Sequence, residues 1–241
     1  MKILLAGATG AIGRRLVPLL VEAHHHVIGT TRSADKVGAL QAAGAEPAVV
    51  DVFDGPALAG LLADVRPELV IHQLTDLPPG LDPARMAEAG PRNAHLRKAG
   101  TRNLIDAARA AGVRRVVVQS IAWIYAAGPE PHAETDPLDT AAEGARRLTV
   151  EGVVELERLT LSSPPVEGIV LRYGHLYGPG TGANAAAAPA LHVDAAAMAA
   201  LLAVRRGRPG IYNIAEPGRY LDTAKAEREL GFDANFRSGD S

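Results

Sequence analysis

Cysteine is absent from this 241-residue chain, which excludes disulfide bonds, thiolate metal ligands and cysteine nucleophiles. Neither sign of charge is in excess, because 25 lysines and arginines stand against 27 aspartates and glutamates. The surplus of basic residues that favours nucleic acids or an anionic membrane surface is therefore missing. The sequence also lacks an apolar run near the ~20 residues of a membrane-spanning helix. A predicted strand from residue 2 leaves no room for a signal peptide, so we expect a cytoplasmic protein.

The first thirteen residues combine an apolar run with regularly spaced glycines. Residues 3–6 predict a buried strand, Gly7, Gly10 and Gly13 follow, and residues 14–23 predict a helix. In this context the glycines allow a tight turn, a close approach of a pyrophosphate to the backbone, and close packing of helix on strand. The pyrophosphate would bind the free N–H groups at the positive end of the helix. The sequence therefore predicts a dinucleotide site at its start.

Strands and helices alternate through most of the chain. Further strands are predicted at residues 27–31, 46–51, 69–74, 116–120 and 166–172, and helices at residues 34–43, 55–63, 92–111 and 141–161. Residues 75–90, rich in proline and glycine, are predicted to form an irregular connection. The alternation predicts an α/β fold, a doubly wound parallel sheet of the Rossmann type.

The last part of the chain is shorter and less regular. It begins with a Gly/Ala loop at residues 178–189. Beyond the loop the sequence predicts a helix at residues 194–205, a short strand at residues 210–214 and a final helix at residues 223–230. We expect residues 1–172 to form the dinucleotide-binding core. Residues 173–241 would form a small C-terminal substrate-binding part, packed on the core as one continuous unit near the carboxyl ends of the strands.

The end of the second strand carries no acidic residue. In dinucleotide-binding folds a carboxylate about 20 residues past the glycines binds the ribose 2′-hydroxyl, whereas an arginine accommodates a 2′-phosphate. No Asp or Glu occurs between Val27 and Ser33, and Arg32 lies nineteen residues past Gly13. Ser33 and Lys36 would add a hydroxyl and a second charge. The sequence predicts NADP(H) rather than NAD, the alternative for Arg32 being a solvated surface position.

Further cofactor contacts are expected where the third and fourth strands end, because ligands of parallel sheets bind there. Asp51 and Val52 would meet the adenine, and residues 73–75 the nicotinamide-side ribose, although a loop cap explains each segment equally well. The predicted cofactor-binding residues are Gly7, Thr9, Gly10, Ala11, Ile12, Gly13, Thr31, Arg32, Ser33, Asp51, Val52, Gln73, Leu74, Thr75, Ser120 and Tyr173.

Several motifs together resemble the extended short-chain dehydrogenase/reductase superfamily, and more narrowly its NAD-dependent epimerase/dehydratase branch. They are Gly7-Ala-Thr-Gly-Ala-Ile-Gly13, Thr31-Arg32, Asp51-Val52, and residues 100–108, 116–120 and 172–180. The resemblance covers nearly the whole chain. It implies hydride exchange with a nicotinamide, a small-molecule substrate, and helices 92–111 and 141–161 as the faces of a possible homodimer.

The catalytic pair of that family is missing. The family places a tyrosine, and a lysine four residues later, on the helix after the Ser120 strand. The five tyrosines of this chain are followed at the fourth position by proline, tyrosine, threonine, glutamate and alanine. The resemblance therefore indicates an atypical member, in which hydride transfer to a carbonyl needs another donor where the alkoxide develops.

Three residues are candidates for the missing proton chemistry. Ser120 lies at the family's catalytic serine position, so its hydroxyl would face the cleft. Tyr125 would reach the same space and titrate usefully only with help from a cation, for which Arg146, Arg147 and Arg172 are candidates. His175 would shuttle a proton near neutral pH. A packed aromatic for Tyr125 and a structural loop residue for His175 are the alternatives.

Three functions fit these residues. The first is an NADP(H)-dependent oxidoreductase acting on a small, rather apolar carbonyl compound, in a nearly uncharged pocket built from residues 123–128, 173–177 and 178–189. The second is a redox-neutral epimerase, isomerase or cyclase with bound NADP. The third is a non-catalytic protein that senses NADP(H). We expect no metal, because no histidine–carboxylate set has ligand spacing.

Overall fold

The computed structural model describes residues 1–239. Its strands, in chain order, are β1 (Lys2–Ala6), β2 (His26–Thr31), β3 (Glu46–Val49), β4 (Leu69–His72), β5 (Arg115–Ile121), β6 (Glu167–Tyr173), β7 (His175–Tyr177), β8 (Ala190–His192) and β9 (Gly210–Ile214). Its α-helices are α1 (Ala11–Glu22), α2 (Val37–Ala42), α3 (Gly55–Val65), α4 (Pro83–His95), α5 (Thr101–Ala110), α6 (Gly144–Leu161), α7 (Val193–Ala203) and α8 (Ala224–Leu230).

Seven of these strands form one parallel sheet, in the order β3-β2-β1-β4-β5-β6-β9. The order reverses between β1 and β4, which is the switch point where doubly wound folds bind their ligands. The predicted α/β fold is confirmed. The last strand of the sheet comes from the C-terminal part, since β9 pairs with β6 along the open edge.

Apolar cores lie on both faces of the sheet. On one face α1, α7 and α8 pack over the strands, and α7 lies directly against α1. On the other face α3, α5 and α6 cover residues such as Leu4, Val70 and Val118. Strands that are buried on both sides need continuous apolar runs, which is the pattern of β1, β4 and β5. None of the helices in residues 1–239 has the length and apolar composition that crossing a bilayer requires.

The segment predicted to be irregular contains the first two turns of a helix. The carboxylate of Asp82 accepts a hydrogen bond from the N–H of Ala84 (3.0 Å), and α4 starts at the next residue, Pro83. Proline is tolerated there because the first N–H groups of a helix have no partner within it. The prediction was wrong from residue 83 onward, because Gly90 and Pro91 are accommodated inside the helix.

A π-turn joins α4 to α5. It spans Leu96–Gly100, so residues 83–110 form one nearly continuous helical run with a single irregular turn. Leu96, Arg97 and Gly100 are buried in this turn, which packs against α6. Single π-turns inside α-helices are frequent at functional sites, and this one faces the cavity described next.

Candidate functional site

A cavity of about 1680 Å³ lies at the carboxyl ends of the strands. We call it the main cavity, and it extends from the glycine turn after β1 to the ends of β5 and β6. Among its lining residues are all of the predicted cofactor-binding residues except Gly13. A Cβ on Gly13 would lie 2.2 Å from the carbonyl oxygen of Gly7, so Gly13 serves the packing of α1 against the turn.

The glycine turn leaves room for a phosphate at the start of α1. Gly7 has a φ of +90°, and the N–H of Gly10 donates to its carbonyl oxygen (3.0 Å). Gly10 caps the helix without a side-chain hydrogen bond, and the first turn contains no acidic residue. The free N–H groups and the positive end of the helix are therefore available to an anion.

Basic side chains line the main cavity where β2 ends. Arg32, Ser33 and Lys36 line it. The guanidinium of Arg32 is exposed and lies 3.5 Å from the carboxylate of Asp76, which Arg92 approaches to 3.4 Å from the other side. Because an exposed ion pair contributes little to stability, the Arg32 side chain can leave Asp76 and bind a phosphate group, which carries more negative charge.

Asp51 and Gln73 differ in what they offer a ligand. The carboxylate of Asp51 accepts a hydrogen bond from the N–H of Phe53 (2.9 Å), which is a loop cap at the cavity wall. The side-chain amide of Gln73 donates to the hydroxyl of Tyr173 (3.3 Å), which in turn donates to the carbonyl of Ala196 (3.3 Å). The Oε1 of Gln73 is buried and has no partner within residues 1–239. Such an acceptor is costly unless a ligand donates to it.

The glycine cradle, the uncapped helix start and the orphaned Gln73 oxygen fit a dinucleotide that runs along the main cavity. Burial raises the pKa of Tyr173, so its phenol is neutral and serves as a hydrogen-bonding group. The chemistry of the donor set thus matches a pyrophosphate at one end and a ribose or carboxamide group near Gln73.

Two of the expected proton donors, Ser120 and Tyr125, belong to a buried network of hydrogen bonds. The hydroxyl of Ser120 donates to Glu157 (2.7 Å), which also accepts two hydrogen bonds from Arg172 (2.9 and 2.6 Å). Arg172 donates as well to the phenol oxygen of Tyr125 (2.8 Å), and that hydroxyl donates to Asn213 (2.6 Å). All five side chains are less than 5% exposed.

This network changes the interpretation of Ser120 and Tyr125. Ser120 lines the main cavity, but its hydroxyl donates toward α6 and does not face the cleft as predicted. Tyr125 donates to Asn213, and burial raises its pKa although the Arg172 charge opposes the rise. Among the three predicted cations only Arg172 contacts the Tyr125 side chain. The alternative of a packed aromatic describes Tyr125 best.

His175 lies where a second pocket, of about 660 Å³, meets the main cavity. Its ring stacks on Trp123 with centroids 5.2 Å apart and planes 9° from parallel. Burial lowers the pKa of His175, so the imidazole is neutral at pH 7. The substrate pocket was predicted to be nearly uncharged, whereas segments outside that prediction contribute Glu130, Arg146 and Arg219 to this pocket.

Comparison with known proteins identifies the family. A family profile described as NAD(P)H-binding matches residues 7–151. The 3-diazoavenalumate denitrifying reductase of a Streptomyces species is 40% identical over 280 aligned residues, which cover 96% of this chain and 88% of that protein. The chain belongs to the extended short-chain dehydrogenase/reductase family.

Other relatives of this short-chain dehydrogenase/reductase are epimerases. The UDP-glucose 4-epimerase of Mycolicibacterium smegmatis is 33% identical over 149 residues, 59% of this chain and 46% of that protein. The crystal structure of the Thermotoga maritima UDP-glucose 4-epimerase with UDP-glucose superposes with a TM-score of 0.79 at 21% identity, covering 98% of this chain and 94% of the other. The UDP-glucuronic acid 4-epimerase of Bacillus cereus with NAD gives 0.76 at 16% identity, covering 98% and 94%. At these identities the structures show the shared fold.

Three residues of the site escaped the sequence analysis, namely Arg97, Glu157 and Asn213. Glu157 lies seven residues after Val150 and four after Val153, so it falls on the apolar stripe of α6. Arg97 likewise precedes Thr101 by four residues and Leu104 by seven, and both of those are buried. A charged residue on an apolar stripe is the available signal, since such residues are rarely buried without a partner.

Proposed function

We propose that this short-chain dehydrogenase/reductase is an NADP(H)-dependent reductase whose substrate takes up a hydride without a proton from Ser120 or Tyr125. The observation that carries the proposal is that both hydroxyls already donate inside the buried network, to Glu157 and Asn213. A carbonyl acceptor would need a donor where the alkoxide develops. An acceptor that loses a neutral leaving group needs none.

The name of the Streptomyces relative supplies such an acceptor, a diazo compound that is reduced with loss of nitrogen. The bound cofactor would supply a hydride that forms a C–H bond at the diazonium-bearing carbon while the C–N bond breaks and its electron pair leaves with N₂, the cofactor being oxidised. The protein would then bind, orient and keep water from the reactants. The stacked rings of Trp123 and His175, where the two cavities meet, offer a flat apolar surface to an arene.

The reaction is tested by following the absorbance of NADPH with diazotised 2-aminophenol. We expect NADPH loss to match the formation of phenol and N₂, and deuterium from the 4-position of the labelled cofactor to appear on the ring. Product formed without NADPH oxidation would identify a redox-neutral enzyme instead. Tight NADPH binding with no turnover of diazo or carbonyl compounds would identify a sensor.

Ser120→Ala distinguishes the proposed reaction from carbonyl reduction. We expect turnover of the diazotised substrate within about fivefold of the wild type, because removing a proton donor typically costs 10²–10⁴-fold and Ser120 is not one. Tyr125→Phe is expected to behave in the same way. Both are compared at a temperature where circular dichroism shows each variant to be folded. A loss of about 100-fold or more in Ser120→Ala would contradict the proposal.

The choice of NADP(H) is supported by Arg32, Ser33 and Lys36 along the main cavity. Replacing Arg32 with alanine is expected to raise the Kd for NADPH by about 10–100-fold, since a hydrogen bond to a charged group contributes roughly 1.5–3 kcal/mol. The Kd for NADH should change less than about threefold. Fluorescence titration with both cofactors measures this difference, and Arg109→Ala on the exposed side of α5 is the control. Equal losses for the two cofactors would argue against a 2′-phosphate at Arg32.

A further inference from the structure

Arg97 is a buried arginine that has no role in the reaction proposed above. It lies on the π-turn between α4 and α5, its side chain is 8% exposed, and it lines the main cavity. It is on the α6 side of the sheet, where the network of Ser120 and Glu157 lies. The charge of Glu157 acts on it, although the two side chains are not within ion-pair distance.

The guanidinium of Arg97 forms no hydrogen bond and no ion pair with any residue in the described range 1–239. Its titratable neighbours are otherwise engaged. Glu157 accepts from Ser120 and twice from Arg172. His72 is buried with its pKa lowered to about 4, so it is neutral, and its Nδ1 accepts from the N–H of Leu74 (3.2 Å).

The charges in this part of the protein do not balance. Arg97 and Arg172 are positive and Glu157 alone is negative, which leaves one positive charge beside the main cavity. Burial lowers the pKa of Arg97 to about 10, so the group stays protonated at neutral pH. Arg97 is 8% exposed and lines the main cavity, where a charge shielded from bulk water and without a fixed counter-ion favours a bound anion.

We propose that Arg97 binds a carboxylate of the substrate, so that the enzyme acts on carboxylate-bearing aromatic compounds. The inference rests on the proposed reductase function for the identity of the reaction. The planar guanidinium presents two parallel N–H donors that match the two carboxylate oxygens. Trp123 lines the same cavity and offers the ring of such a compound an aromatic face.

The cofactor phosphates have their own partners elsewhere. The pyrophosphate fits the glycine turn after β1, and a 2′-phosphate fits Arg32 after β2. Arg97 lies instead on the π-turn that packs against α6, the helix that carries Glu157, and it lines the main cavity there. An anion bound there is therefore assigned to the substrate side of the cavity.

The test uses calorimetric titration of the NADPH-loaded enzyme with benzoate and cinnamate, and with benzamide and cinnamamide as neutral matches. We expect the wild type to bind each acid at least tenfold more tightly than its amide. Arg97→Met should lose that preference, weakening the acids 10–100-fold and the amides less than threefold, while Arg97→Lys keeps part of it. The control is Arg102→Met. Arg102 is the second residue of α5 and forms an ion pair at the surface with Glu155 of α6, so we expect its replacement to leave all four affinities unchanged.

A second measurement separates binding from a structural role. Because the Arg97 charge is unpaired, we expect Arg97→Met to raise the Tm of the ligand-free protein, and cinnamate to raise the Tm of the wild type more than that of the variant. A lower Tm in Arg97→Met, or equal affinity of the wild type for acid and amide, would overturn the assignment. So would an equal weakening of NADPH in Arg97→Met, which would place a cofactor phosphate there.

Failure of the reductase proposal would look different. If the wild type binds NADPH but transfers no hydride to a diazonium compound, the proposed reaction is wrong. The preference of the wild type for acids over amides is measured without turnover, so it judges the Arg97 assignment separately.

Discussion

Replacing Glu157 with glutamine is expected to lower the free energy of unfolding by about 3–5 kcal/mol, the usual cost of breaking a buried ion pair from one side. Glu157 is the carboxylate that faces both Arg172, through two hydrogen bonds, and the charge of Arg97. Its neutral replacement leaves the buried guanidinium of Arg172 without its ion-pair partner and removes the negative charge that acts on Arg97. Urea unfolding followed by tryptophan fluorescence and circular dichroism measures the loss.

Two further variants make the result specific. Glu151 lies on α6, like Glu157, and forms an exposed ion pair with Lys98 of the π-turn. We expect Glu151→Gln to cause no measurable change in the free energy of unfolding. The double variant Glu157→Leu, Arg172→Met should recover a large part of the loss, because apolar side chains often replace a whole buried pair without penalty. A Glu157→Gln protein as stable as Glu151→Gln would contradict the role assigned to the network.

The second large effect is expected at the glycine turn, where Gly7→Ala should weaken NADPH binding by about 100-fold or more, equivalent to roughly 3 kcal/mol. The φ of +90° at Gly7 is unfavourable for any residue with a Cβ by about 1–2 kcal/mol. The added carbon would also lie 2.7 Å from the carbonyl carbon and oxygen of Gln73. The turn and the end of β4 would have to move apart, which displaces both the phosphate cradle and the Gln73 oxygen.

Fluorescence titration with NADPH measures this effect, and Gly60→Ala is the matched control. Gly60 lies inside α3 with no atom within 4 Å of an added Cβ, so we expect unchanged binding and about 0.5–1 kcal/mol more stability. Gly7→Ala that binds NADPH like the wild type would show that the cofactor does not use this turn.

The fold could be predicted from the sequence where the signals are local. Apolar runs, glycine turns and helical stripes alternate along the chain, and short connections with right-handed crossovers leave few ways to assemble them. The exception is α4, since Gly90 and Pro91 weaken a helical pattern without breaking the helix. The capping aspartate before Pro83 was a local signal for its start.

The site was predictable only in part, for a related reason. The phosphate turn is formed by consecutive residues, so its pattern is visible in the sequence. The network joins Ser120 to Glu157 across 37 residues and Tyr125 to Asn213 across 88, and no spacing rule links them. The direction of the Ser120 hydroxyl depends on the carboxylate that α6 places beside it, and its position at a strand end does not reveal that.

The position of β9 at the edge of the sheet has a consequence for biosynthesis. β6 ends at Tyr173, but the strand that covers its outer edge ends only at Ile214, 41 residues later (214 − 173). At roughly 5–20 residues per second, the ribosome needs about 2–8 s to supply them. During that interval the nascent chain carries an apolar strand, with Ile169 to Leu171 at its centre, whose outer N–H and C=O groups are free to pair with another chain. Slower translation would lengthen this interval, so the exposed edge of β6 is the place where we expect the nascent chain to associate with other chains before β9 emerges.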